Sequence, residues 1–128
     1  MTSYRVLPSP YPDVDPWFDL RPYLANGWTS IAANFCAVQI RPNTLEFSMR
    51  LNGDASTSWN FIEGLPAQEL GLTANMPIAI VTPKGASFCL PYSSGIITIS
   101  SMGRAPLGDW DRSGELTVYG ATRRGPIS

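Results

Sequence analysis

From residue 27 onward, apolar residues recur at every second position. Leu45, Phe47, Met49 and Leu51 alternate with Glu46, Ser48, Arg50 and Asn52. That period belongs to a strand with one dry face and one wet face. Burying four such side chains contributes about 1.5–3 kcal/mol each before entropy is subtracted. An apolar run over residues 35–41 precedes this strand, and Pro42-Asn43 between them reads as the tight turn of a hairpin. Asn52-Gly53-Asp54 ends the second strand. Further strands are expected over residues 59–62, 77–82, 86–91, 95–101 and 115–122, with hairpin turns at Pro83-Lys84-Gly85 and Ser93-Ser94-Gly95. Gly64-Leu65-Pro66 breaks any pairing, and residues 65–72 have room for one short helical turn. Residues 103–114, which hold Gly, Pro, Asp and Arg, are expected to form a loop. Short strands at this spacing predict an all-β fold, an antiparallel β-sandwich or barrel, over residues 27–122.

Residues 1–26 read differently, as an extended proline-rich arm. Pro8, Pro10, Pro12, Pro16 and Pro22 fall here. Proline fixes φ and removes an amide donor, so neither regular helix nor inner strand is expected. A solvated tail has no need of large apolar groups, yet this arm carries Tyr11, Trp17, Phe18 and Tyr23, the candidate arm-interface residues. They are expected to lie on the chain's own sheet or on a neighbouring subunit. One helical turn is expected after Asp15, with Asp15 as N-cap and Pro16 at the first helical position. Residues 123–128, including Arg123-Arg124, are expected to be a solvated C-terminal tail.

Composition narrows the function classes. Charged residues make up 15% of the chain, against about 25% in ordinary soluble domains. A surface so poor in charge suits burial against other chains. The nine basic and ten acidic residues give a net charge of −1 and form no basic stripe, so a nucleic-acid partner is not expected. Cys36 and Cys89 both sit in apolar runs and read as buried free thiols. The N-terminus shows no hydrophobic signal region. The longest apolar stretches, such as residues 76–81, are too short to cross a bilayer.

The chemistry available to the chain is sparse. It has no histidine, which removes the commonest general base and metal ligand, and with it Ser-His-Asp and Cys-His nucleophiles within one chain. No phosphate-binding glycine motif precedes a helix. Asp13/Asp15 and Asp109/Asp111 place carboxylates two residues apart, as a calcium loop or a glycosidase dyad does. Glu46 and Glu63 are further dyad candidates, Glu46 on the wet face of its strand. Each of these is expected to be solvated, and no catalytic residue, metal or cofactor is assigned. Four tryptophans remain. Trp28 and Trp59 are expected in the core or an interface. Trp110, between Asp109 and Asp111 in a polar loop, is the candidate ligand or partner contact, with its two flanking aspartates.

The order of these pieces carries a resemblance. Gly27-Trp28 precedes a strand ending Val38-Gln39-Ile40-Arg41. An apolar strand from Leu45 closes on Gly53. Leu65-Pro66 follows, then Ile78 to Val81, Gly95 to Ile99, and a last strand from Gly114 to Gly120. Over residues 27–121 this pattern resembles the small C-terminal β-sandwich of minor tail and tail-fibre proteins of siphophages, of the kind that infect actinobacteria. Gly71-Leu72 stands where that family usually carries Arg-Pro, and a short arm replaces its long stalk. The resemblance implies a jelly-roll-like sandwich, commonly trimeric, mounted on a virion assembled in the host cytoplasm and often binding host-surface glycans. The expected function is therefore a non-enzymatic virion structural protein at the tail tip, a homotrimer touching other virion proteins. Competing readings are a capsid decoration protein, a free carbohydrate-binding module using Trp110, and a hydrolase using Asp109 or Asp111.

Overall fold

The computed structural model describes residues 6–7, 16–31, 36–72 and 76–125. The strands in chain order are β1 (Val6–Leu7), β2 (Trp17–Asp19), β3 (Thr29–Ser30), β4 (Cys36–Ile40), β5 (Thr44–Asn52), β6 (Asn60–Ile62), β7 (Ile78–Thr82), β8 (Gly85–Pro91), β9 (Ile97–Thr98) and β10 (Glu115–Arg123). Two short helices, α1 (Ala67–Leu70) and α2 (Ser101–Arg104), and two 3-10 turns, Arg21–Tyr23 and Ala105–Leu107, complete the fold.

All pairings are antiparallel, and the strands follow one path, β1-β2-β4-β5-β10-β7-β8-β9-β6, with β3 beside β5. The all-β class expected from the sequence is the one observed. The path curls into a half-barrel. Leu24 bridges Ile62 of β6, Ala25 donates its amide to the Phe61 carbonyl, and Glu63 donates to that of Tyr23. Chain just past β2, near one end of the path, therefore pairs with β6 at the other.

The longest ladder is the nine-residue pairing of β5 with β10, from Glu115 opposite Asn52 to Arg123 opposite Thr44. The alternation read from the sequence is realised here. Leu45, Phe47, Met49 and Leu51 are buried, as are Leu116 and Val118 across from them. They meet Val38 and Ile40 of β4, Ile78 and Ile80 of β7, and Phe61, Ile62 and Ile97 from the curled end in one apolar core. Gly53 ends β5 where a side chain has no room. A Cβ there would lie 2.6 Å from the Trp28 ring and against the Arg112 carbonyl.

Several local expectations are corrected. Residues 17–19 are not a helical turn but a strand, and an inner one, since β2 lies between β1 and β4. Pro16 and Pro22 flank the three residues, so no proline interrupts the ladder. Helical geometry begins only at Arg21, with Pro22 inside the turn. Phe18 and Leu20 are fully buried, so packing continues across the expected boundary at residue 26. Residues 103–114 are not all loop: Ser100 accepts from the Gly103 amide as the N-cap of α2, and a 3-10 turn follows. The expected tail also begins later. Arg123 belongs to β10, and Arg124 donates through Nε to the Leu70 carbonyl and through a guanidinium nitrogen to that of Arg41.

Candidate binding surfaces

Trp110 does not stand in open solvent. It is only 7% exposed and belongs to the core cluster. Its indole nitrogen donates to the Ser113 carbonyl at 2.9 Å, which satisfies the polar edge that burial would otherwise strand. Its ring meets Trp59 edge to face. Arg104 and Arg112 lie over the Trp59 ring at 4.7 and 5.1 Å, as cations do on aromatic faces. Arg112 holds a left-handed φ of 79°, a conformation that costs a non-glycine residue about 1–2 kcal/mol. Its guanidinium is fastened to Ser56 by a 3.1 Å bond to the hydroxyl, which anchors the turn.

Asp109 and Asp111 flank Trp110 but point to different partners. Asp109 pairs with Lys84 at 3.3 Å, and that ammonium holds its carboxyl below the ordinary value. Asp111 accepts from the Ser113 hydroxyl at 2.7 Å and from the Ser113 amide, which lowers its pKa likewise. Asp54 joins them by accepting from the Gly114 amide. Together with Pro83, these residues rim an open depression of about 530 Å³. Among the described residues no three His, Cys, Asp or Glu side chains gather as a metal site requires. Asp111 closes a local turn, whereas the Asp109–Lys84 and Asp54–Gly114 contacts join segments distant in sequence.

The arm residues scatter by role. Phe18 faces the core and stacks on Tyr23 at 5.6 Å, and Tyr23 is half-buried against the same core. Trp17 points to the opposite face and remains half exposed. Tyr11 lies outside the described residues, as do Asp13 and Asp15. Glu63 is exposed and accepts from Asn26, while Glu46 lies on the outward face of β5, so the two stand on different strands with different partners. The two thiols, Cys36 and Cys89, are free and buried.

A second surface was not singled out by motif reading. The outward side chains of β2, β4, β5 and β10 form two rows. Trp17, Gln39, Glu46 and Ala121 are in register, and so are Asp19, Ala37, Ser48 and Tyr119. Arg41 bonds Glu46 at 2.6 Å and Gln39 at 3.1 Å. A groove of about 300 Å³ runs over these residues apart from Asp19 and Ala37, which are buried, with Trp17 at one side and Tyr119 at the other. Tyr119 is 73% exposed, the most exposed large apolar residue among those described, and exposed Val81 on β7 lies opposite Thr117, two residues along from Tyr119. The signal was in the sequence: alternation along residues 115–122 places Thr117 and Tyr119 opposite to Leu116 and Val118. No helix is long and apolar enough to cross a membrane. Comparison of the chain with protein-family models, with curated proteins and with solved structures returns no match.

Proposed function

We propose that this chain is a non-enzymatic bacteriophage virion structural protein, a minor tail or tail-tip component that assembles as a trimer and meets the host surface. The observation that carries a binding role is the outward face of β5 and β10. There, exposed Tyr119 stands on strands paired over nine positions, so the fold presents a preformed, rigid surface rather than a mobile loop. Virion placement rests on the order of strands and turn residues over 27–121, from Gly27-Trp28 to Gly114–Gly120. Trimeric assembly draws on the low share of charged residues, 15%.

The test is peptide mass spectrometry of purified particles of the virus that encodes the chain, with copy number. Presence at a few copies per particle is the expected result. Hundreds of copies would make it a capsid decoration protein, and absence from particles would overturn the virion reading altogether.

A further inference from the structure

We infer that the cluster of Arg104, Trp59 and Arg112 binds one tetrahedral oxyanion of the phosphate or sulfate class, free or carried on a larger ligand. This is independent of the virion reading, because it rests on hydrogen-bond donors that the fold groups together and leaves short of acceptors.

Trp28 and Trp110 each give the indole N–H to a carbonyl, that of Ser58 and that of Ser113. The Trp59 N–H has no such partner among the described residues, and its ring is only half-buried. The Arg104 side chain makes no hydrogen bond or ion pair among them either. Its Nε is buried and unpartnered. Burial takes water from that N–H without supplying an acceptor, a state native proteins seldom leave unanswered. Arg112 donates from Nε and Nη2 to Ser56, and its Nη1 still has protons to give.

Position and charge select the ligand. The two guanidinium carbons stand 4.7 and 5.1 Å from the centroid of one ring. They therefore lie within about 10 Å of each other, the Debye length at 0.1 M salt, and both act on one bound charge. Neither pairs with a described carboxylate, and neighbouring Asp111 is engaged by Ser113. A carboxylate, with two oxygens, is satisfied by one guanidinium fork, whereas a tetrahedral oxyanion has acceptors for two forks and an indole at once. Two arginines suit one such group and not the phosphate run of a nucleic acid. The scaffold is set before a ligand arrives. Arg104 ends α2, which Ser100 caps and which lies so close on β8 that a Cβ at Gly103 would collide with the Phe88 carbonyl. Arg112 is fastened to Ser56. Donors already held in place lose little freedom on binding.

The full-length protein would be titrated calorimetrically with inorganic phosphate, sulfate, methyl phosphate and acetate, with chloride holding the ionic strength at about 0.1 M throughout. Phosphate and sulfate are expected to saturate one site, and acetate to bind about tenfold more weakly or less. Arg104→Gln is expected to weaken phosphate binding about tenfold or more. Trp59→Phe, which keeps an aromatic face and removes the N–H, is expected to weaken it by a smaller factor, and Tyr119→Ala to leave it unchanged. A thermal melt of each variant in chloride alone separates lost binding from lost fold. Should Arg104→Gln not fold, Arg104→Lys, which keeps the charge and loses the buried Nε donor, gives the same reading. Methyl phosphate bound as well as inorganic phosphate makes the ligand an ester on a larger molecule, and methyl phosphate refused makes it the free ion. Absence of saturable phosphate or sulfate binding overturns the inference, as does phosphate affinity unaltered in a folded Arg104 variant. Acetate bound as tightly as phosphate overturns the selectivity for a tetrahedral group.

Discussion

The indoles of Trp59 and Trp110 meet edge to face, with centroids 5.4 Å apart and planes at 60°. The contact ties the start of β6 to the turn before β10, two segments that no backbone ladder joins. Trp110 is almost wholly buried, whereas Trp59 is half-buried under two guanidinium groups.

Trp110→Ala is therefore expected to cost about 3–5 kcal/mol, as deleting a buried tryptophan does, and Trp59→Ala less. A double-mutant cycle by urea denaturation should return a coupling of about 0.5–1.5 kcal/mol for the aromatic pair. A loss below about 1 kcal/mol for Trp110→Ala, set against that scale, would mean that the residue is not packed as described.

The thiols give a pH prediction. Burial pushes Cys36 up to about 12, with nearby Asp19 adding to the rise, and burial raises Cys89 as well. The folded chain thus holds both protons to higher pH than the unfolded chain does. Below the ordinary thiol pKa of about 8.5 both states are protonated and the stabilisation is complete. Above it the unfolded chain releases protons first, and stability falls by about 1.4 kcal/mol per pH unit for each thiol. Urea midpoints between about pH 8 and pH 10 should show this decline, with Cys36→Ala or Cys89→Ala each removing its share. A slope that neither variant changes would place the titration elsewhere.

Gly53 offers a steric test. Its missing side chain admits the Trp28 ring and the Arg112 carbonyl, and its amide donates to the Gly114 carbonyl. Gly53→Ala forces one of these apart and is expected to cost at least the ~1–3 kcal/mol typical of overpacking. A melting temperature within a degree or two of the parent would show that the junction of β5 with the Arg112 turn is looser than this packing implies.

The sequence reads this fold well where one rule governs and poorly where two compete. Residues 44–52 alternate without interruption, so period two settles that strand and its faces, whereas along residues 115–123 the alternation holds only to Val118 and breaks at Tyr119. At residues 16–19 the prolines argue against pairing, while Phe18 needs burial. Burial prevails because Pro16 and Pro22 fall outside the three residues that pair. Residues 101–107 look like a loop by glycine and proline content, yet the Ser100 cap and Pro106 in the first turn of a 3-10 helix are helix-starting devices. Trp110 misleads for a related reason. Its polar neighbours describe the turn, not the ring, whose partner Trp59 is distant in sequence. The groove at Tyr119 depends on which strands are neighbours. The pairings of β2 with β4 and of β5 with β10 are non-local, and no spacing along the chain encodes them.

The position of β2 decides what a truncation experiment means. A chain beginning at Asn26 loses Phe18 and Leu20, both fully buried, and the whole pairing of β2 with β4. Each of the two side chains contributes about 1.5–3 kcal/mol by burial alone, against a total stability of about 5–15 kcal/mol for a typical domain. Such a chain is expected to melt non-cooperatively or to aggregate, and its mass would say nothing of assembly. A chain beginning at Pro16 keeps β2 and is expected to fold with a cooperative transition. Light scattering of the full-length protein should give three times the 13.9 kDa of one chain. The same measurement on the chain from Pro16 should give the smaller mass of one such shortened chain if residues 1–15 clasp a neighbour. A trimer in both would move the interface to the outward face around Val81 and Tyr119, and Tyr119→Ala would then dissociate it. A full-length monomer would end the trimer proposal. A cooperative melt of the chain from Asn26 would show that β2 is dispensable to the core.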